Sequence, residues 1–223
     1  MGTITRTFAN NITTSGVFKP TAFNNASFDN VTAVPSGAVE SGNMVLLSTQ
    51  TASSSASISF TSGIDSTYKE YMFIFNNIHP ATENTTFEFQ TSTDGGSSYG
   101  VTYTNTVFLA LHNEAGSTSN LFYSTSRDQA QSTGYAQLCA EVARGGDADQ
   151  ACSGFLQLYN PSSSIFVKHC ISRFIKDDGA GAAEIFNQYS GGYFNTTSAI
   201  NAINFKMSSG NIDDGTIQMF GIL

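Results

Sequence analysis

Charge is scarce in this chain of 223 residues. Only 12% of them are Asp, Glu, Lys or Arg, against about 25% in an average soluble protein. Lys and Arg together number nine, and the net charge is −8. Because a protein that binds nucleic acid needs a stripe of Lys and Arg to neutralise phosphates, this composition argues against a nucleic-acid partner.

Long apolar runs and export signals are missing as well. No apolar stretch approaches the ~18 residues that a membrane span requires, so no membrane insertion is expected. Residues 1–11 lack the basic and apolar segments of a secretory signal, and none is predicted.

Cysteine is rare and Trp is absent. Cys139, Cys152 and Cys170 form no C-x-x-C pair, which argues against a zinc or redox motif. Their odd number argues against a complete disulfide framework. We expect buried or half-buried thiols in strands, with a bridge between Cys139 and Cys152 left open.

Sequence motifs that would indicate catalysis, a metal site or a phosphate site are weak or missing. His112-Asn113-Glu114 fits the first half of a zinc deaminase signature, but the P-C-x-x-C half is missing. No phosphate-binding G-x-x-x-x-G-K run occurs. We therefore expect no catalytic residue, no metal and no cofactor, and we expect His79, His112 and His169 to contribute to packing. His169 is predicted to be the most buried of the three.

What the chain does contain is aromatic and neutral-polar sequence with short strand patterns from Met44 onward. Phe87 and Phe89 flank Glu88, an alternation that places one face on a core, and turn signals such as Asp94-Gly95-Gly96 separate the patterns. One weak helical window covers 179–188. The pattern predicts an all-β fold, an antiparallel two-sheet sandwich of jelly-roll type. The predicted strands are 44–50, 56–61, 68–78, 85–91, 99–110, 134–143, 153–160, 164–174, 199–207 and 214–222.

The composition changes near residue 43. Residues 1–43 are rich in Asn and Thr, and their Phe residues recur at a spacing that fits neither helix nor strand. We interpret 1–43 as an extended attachment arm and 44–223 as the sandwich domain. An arm with exposed aromatic residues favours self-association, with three copies expected. The residues predicted to contact a neighbouring subunit are Phe8, Ile12, Phe18, Phe23 and Phe28.

Aromatic residues near glycine-rich turns form a second candidate set. Tyr99 and Tyr103 follow Asp94-Gly95-Gly96, while Tyr189, Tyr193 and Phe194 surround Ser190-Gly191-Gly192. A Tyr ring offers flat apolar area plus a hydroxyl, which suits protein or glycan contact. The alternative is that these rings close the ends of the sandwich.

Three blocks of sequence resemble structural proteins of marine bacteriophages, including cyanophages. They are LLSTQTASSSASISFTSGIDSTYKEYMFIFNNIHPATENTTFEFQTSTDGG (46–96), QACSGFLQLYNPSSSIFVKHC (150–170) and AINFKMSSGNIDDGTIQMFGIL (202–223). The last block is similar to the closing hairpin of phage sandwich domains. The resemblance implies a component of the virion surface that is made in the cytoplasm of the host bacterium. It also implies that the arm residues contact other capsid or tail proteins of the virion, and it brings no catalytic residues.

Three functions remain open. The first is a non-enzymatic virion structural protein of capsid-decoration or short-appendage type, anchored by its arm. The second is a tail-fibre or receptor-binding protein that contacts host surface glycans, although heptads or long repeats for a shaft are missing. The third is a lectin-like carbohydrate-binding module.

Overall fold

The structure, a computed structural model, describes residues 44–145, 149–177 and 184–223. The chain divides into two units, Met1–Ser41 and Gly42–Leu223, and the described residues belong to the second. They form β1 (Met44–Thr51), β2 (Ile58–Phe60), β3 (Glu70–Pro80), β4 (Thr85–Ser92), β5 (Tyr103–Asn113), β6 (Ser119–Tyr123), β7 (Gln129–Ser132), β8 (Ala136–Val142), β9 (Cys152–Tyr159), β10 (Lys168–Asp177), β11 (Glu184–Phe194), β12 (Ala202–Met207) and β13 (Ile212–Ile222).

Eight of these strands form a jelly roll. One sheet contains the order β1-β13-β3-β9 and the other the order β2-β12-β4-β8. The antiparallel pairs β1–β13, β2–β12, β3–β9 and β4–β8 alternate between the two sheets, as in a hairpin-like ribbon that has been rolled up. This double-sheet arrangement confirms the predicted all-β sandwich of jelly-roll type.

Five further strands, β5, β6, β7, β10 and β11, extend the larger sheet beyond β9, and we call them the extension. The sheet continues in the order β9-β10-β11-β5-β6, and β7 also pairs with β5. The extension is inserted in two pieces, β5–β7 between β4 and β8, and β10–β11 between β9 and β12.

The core lies between the two sheets of the jelly roll and has a cluster of aromatic rings at its centre, surrounded by aliphatic side chains. The ring of Phe75, on β3, lies 5.5 Å from that of Phe87 and 5.0 Å from that of Phe205, both on the opposite sheet. Phe174, on β10, adds a contact with Phe75 at 5.0 Å. Edge-to-face and tilted rings at these distances stabilise each pair by about 0.5–1.5 kcal/mol beyond area burial. All four side chains are at most 1% exposed.

The ten predicted strands are all present, with ends shifted by up to four residues. The helical window at 179–188 was wrong over its second half, because Glu184–Gln188 belong to β11, while 179–183 lie outside the described residues. The turn predicted at Ser190-Gly191-Gly192 is also strand: a Cβ at Gly192 would lie 2.4 Å from the Thr104 carbonyl oxygen of β5. Here glycine permits close approach of two strands instead of a turn. Sequence patterns did not predict β6, β7 or the existence of β11.

Candidate interaction surfaces

The predicted arm contacts, Phe8, Ile12, Phe18, Phe23 and Phe28, lie outside the described residues. Two of the five aromatic residues predicted at the surface are core residues instead. Tyr103 is 2% exposed and Phe194 is 1% exposed. Their rings stack at 4.6 Å, and the Tyr103 hydroxyl lies 3.1 Å from Cys170 Sγ. The prediction failed because both residues lie at inward positions of paired strands, at the register Tyr103–Phe194.

Burial also governs the chemistry of this pair. The pKa of Tyr103 is raised well above its usual value by desolvation, and that of Cys170 is raised to about 12 for the same reason. Burial raises the pKa of Cys152 as well. All three cysteines are buried free thiols, in accordance with the expectation from sequence.

Tyr189 and Tyr193 point outward from β11 and are half-buried. The ring of Phe108, on β5, stacks on that of Tyr189 at 4.9 Å with an interplanar angle of 6°. The Arg173 guanidinium, on β10, lies 5.1 Å from the Tyr189 ring centre. Since β5 and β10 flank β11 on opposite sides, the two neighbours cover opposite faces of the Tyr189 ring.

This stack belongs to a larger apolar area that the sequence patterns did not single out. We define the outer surface as the outward-facing side chains of β5, β6, β10 and β11. Its large apolar members are Phe108 (41% exposed), Leu121 (66%), Tyr123 (51%), Ile171 (42%), Ile175 (40%) and Ile185 (51%), together with Tyr189. In β10 burial alternates strictly from one residue to the next, but polarity does not, because its sequence KHCISRFIKD runs in pairs of polar and apolar residues. The sequence therefore did not show which face of β10 meets the core.

Tyr99 lines a groove of about 380 Å³ at one end of the sandwich. The other lining groups are mostly hydroxyls, an amide and backbone: Thr93, Ser98, Gly100, Val101, Thr102, Asn195 and Thr196. Nearby Asp94 accepts hydrogen bonds from Ser92 and Ser98, which lower its pKa to about 2. The groove is therefore neutral and rich in hydrogen-bonding groups, with a fixed acidic loop beside it.

A second cleft, of about 690 Å³, lies at the end of β10 and β11. His112, Glu114, Asp177 and Glu184 line it, together with the buried Lys176. Within the part of the chain that the structure describes, no three His, Cys, Asp or Glu side chains are grouped closely enough to hold a metal ion.

The histidines lie apart from one another in the fold. His79 Nδ1 lies 2.6 Å from the Gln150 carbonyl oxygen, whereas His112 and His169 are exposed. The expectation that His169 is buried was wrong, because His169 lies at an outward position of β10, between the inward Lys168 and Cys170.

A serine in the loop between β4 and β5 has the sequence spacing of a hydrolase nucleophile. Gly96-Ser97-Ser98-Tyr99-Gly100 fits the G-x-S-x-G spacing of a hydrolase nucleophile, which lies on a strand-to-helix turn. Here Ser98 lies in the loop between β4 and β5, and its hydroxyl donates to Asp94 Oδ2 at 2.5 Å. The hydroxyl is thus engaged by a carboxylate in a turn, an arrangement that differs from a nucleophile elbow.

Comparison with known proteins adds no relative. No family model, no curated protein and no solved structure matches this chain. Among the described residues, no helix is long and apolar enough to cross a membrane.

Proposed function

We propose that this chain is a non-enzymatic structural protein of a bacteriophage virion. In this proposal the sandwich is a head on the particle surface and residues 1–43 attach it to capsid or tail proteins, in the manner of a decoration protein or short appendage. The observation that carries the proposal is the apolar outer surface. Large exposed apolar areas on soluble proteins mark sites of protein contact, and a particle subunit requires such contacts.

The distribution of the phage-like sequence supports the same function. The three blocks at 46–96, 150–170 and 202–223 include all or nearly all of seven of the eight jelly-roll strands, every one except β8. Most of the extension lies outside them. The resemblance therefore concerns the jelly roll. The extension is the part in which this chain would differ from those phage proteins and make contacts with partners of its own.

The test is to find the protein on purified phage particles. Mass spectrometry and a reconstruction of intact particles are expected to show a sandwich-shaped head at the surface, in a fixed number of copies. Deleting residues 1–42 is expected to abolish incorporation while the head keeps a cooperative unfolding transition. A protein abundant in infected cells but missing from purified particles would contradict the proposal.

A glycan-binding role, as a receptor-binding or lectin-like protein, is the second candidate. The neutral groove at Tyr99 favours it, since hydroxyl and amide groups beside an aromatic ring suit sugar hydroxyls. A glycan array probed with the full-length protein tests this role. Binding that Tyr99→Ala removes and Tyr189→Ala keeps would support it, and no binding to any glycan would exclude the groove as a site for the glycans on the array.

A further inference from the structure

We propose that β6 and the adjoining outer surface form the site at which a second copy of this chain binds. The inference rests on the proposed role in assembly and specifies the surface through which heads meet. It involves only residues of the extension.

The first observation is an unprotected sheet edge. All five residues of β6, Ser119–Tyr123, are exposed, and among the described strands β6 pairs with β5 alone. Soluble proteins usually protect such edges with Lys, Pro or bulges, because the free N–H and C=O groups can pair with another strand. The sequence Ser-Asn-Leu-Phe-Tyr contains no charge and no proline. The edge of β6 that faces away from β5 thus offers backbone N–H and C=O groups with which another strand can pair.

The second observation is that the edge continues into an apolar stripe across the sheet. Tyr123 lies opposite Phe108, Phe108 opposite Tyr189 and Tyr189 opposite Arg173. Beside this row, Leu121 lies opposite Ala110. A partner that pairs with β6 would therefore also cover the aromatic rings next to it.

The geometry of the rings favours a protein over a glycan. A sugar stacks on the free face of an aromatic ring. Both faces of Tyr189 are covered, by Phe108 and by Arg173, so the edge of its ring is what points outward. Exposed ring edges and aliphatic tips such as Ile171 and Ile175 suit packing against other apolar side chains.

Charge and area favour a copy of the same chain. Two chains of net charge −8 repel each other, unless they meet where charge is low. The outward positions of β5, β10 and β11 carry Arg173 and Asp177, one charge of each sign, besides histidines. At about 3.4 Å per residue, β5, β10 and β11 are about 35 Å long and the five-residue β6 is about 17 Å long. With strands about 4.8 Å apart, these lengths give a footprint of the order of 600 Å². That size approaches the roughly 800 Å² per partner of a specific interface.

The decisive experiment compares Leu121→Asp with wild type in the full-length protein. Light scattering over a concentration series is expected to show association of wild type and at least tenfold weaker association of the variant. The matched control is Ile165→Asp, because Ile165 is 74% exposed but lies in the loop before β10; it is expected to associate like wild type. Wild type that is monomeric at high micromolar concentration overturns the proposal. An unaltered association of Leu121→Asp, with a native unfolding transition, also overturns it.

Hydrogen exchange provides a readout at the backbone. Peptides covering 119–123 in wild type are expected to exchange several times more slowly at high than at low protein concentration, and Leu121→Asp is expected to lose this difference. Exchange in β6 that does not change with concentration overturns the proposal. If wild type associates through β6 but is missing from phage particles, the proposed virion function fails while this inference stands.

Discussion

The jelly roll and the extension share one continuous sheet, yet their inward faces differ. In the jelly roll the inward residues are mostly apolar and pack between two sheets, with Thr85 and Thr91 of β4 as buried polar exceptions. In the extension many inward residues are polar and buried: Asn105, Lys168, Ser172, Lys176, Gln188 and Ser190. The difference follows from the opposite sheet, which has four strands and ends at β8. There the inward face meets the edge of β8, where the Gln137 and Glu141 carbonyl oxygens accept hydrogen bonds from Gln188 and Lys176, because buried backbone groups need hydrogen-bonding partners.

Several buried polar groups of the extension are accordingly hydrogen-bonded, although Gln129 Oε1, in β7, has no partner. Asn105 Nδ2 donates to Ser190 Oγ at 2.9 Å, and its Oδ1 accepts from the Gln129 N–H at 2.7 Å. Lys176 Nζ donates to the Glu141 carbonyl oxygen at 2.5 Å. One region is thus stabilised mainly by apolar burial and the other by a network of directed bonds. The predictions below test this division.

The largest effect is expected in the jelly-roll core. Phe75→Ala removes a side chain that contacts rings of both sheets, and it should lower the free energy of unfolding by about 3–5 kcal/mol. Chemical denaturation measures this loss. The control is Ile74→Ala, since Ile74 is half-buried on the opposite face of β3 and should cost clearly less. Equal losses for the two variants would mean that the core does not lie where the rings place it.

A smaller effect is expected in the polar interior of the extension. Asn105→Ala leaves the Gln129 N–H and the Ser190 hydroxyl without these partners, and an unsatisfied buried group costs about 1–3 kcal/mol. The same denaturation experiment measures it. Thr106→Ala, at the exposed neighbouring position, should stay within about 0.5 kcal/mol of wild type. An Asn105→Ala variant as stable as wild type would show that water takes over the hydrogen bonds of the Asn105 side chain.

The same division explains which parts of the fold could be predicted from sequence. Strands of the jelly roll show alternation with apolar inward residues, as at Phe87 and Phe89, and they were found. In β11 the inward Gln188 and Ser190 are polar and the outward Tyr189 between them is aromatic, so the usual polarity of a strand is reversed. In addition, Gly191 and Gly192 resembled a turn. The short β6 has no alternation, because both of its faces are exposed. The candidate surface was therefore missed where sequence polarity and burial disagree, while Tyr99 and Tyr189 were found as exposed or half-exposed aromatic residues.

The smallest effect concerns the junction of the two regions, where Tyr103 of β5 packs against the Phe89 ring of β4 and its hydroxyl contacts Cys170 of β10. At neutral pH, Tyr103→Phe removes one weak hydrogen bond and should cost at most about 1 kcal/mol. Because burial raises the folded-state pKa of Tyr103, the unfolded chain loses this proton first, near pH 10. Wild type should then lose stability above about pH 10 by up to about 1.4 kcal/mol per pH unit from this group, and the variant should not. Denaturation of both proteins between pH 7 and 11, with Tyr193→Phe as the half-buried control, measures the difference. If the difference in unfolding free energy between Tyr103→Phe and wild type stays constant from pH 7 to 11, the Tyr103 hydroxyl reaches solvent at the junction.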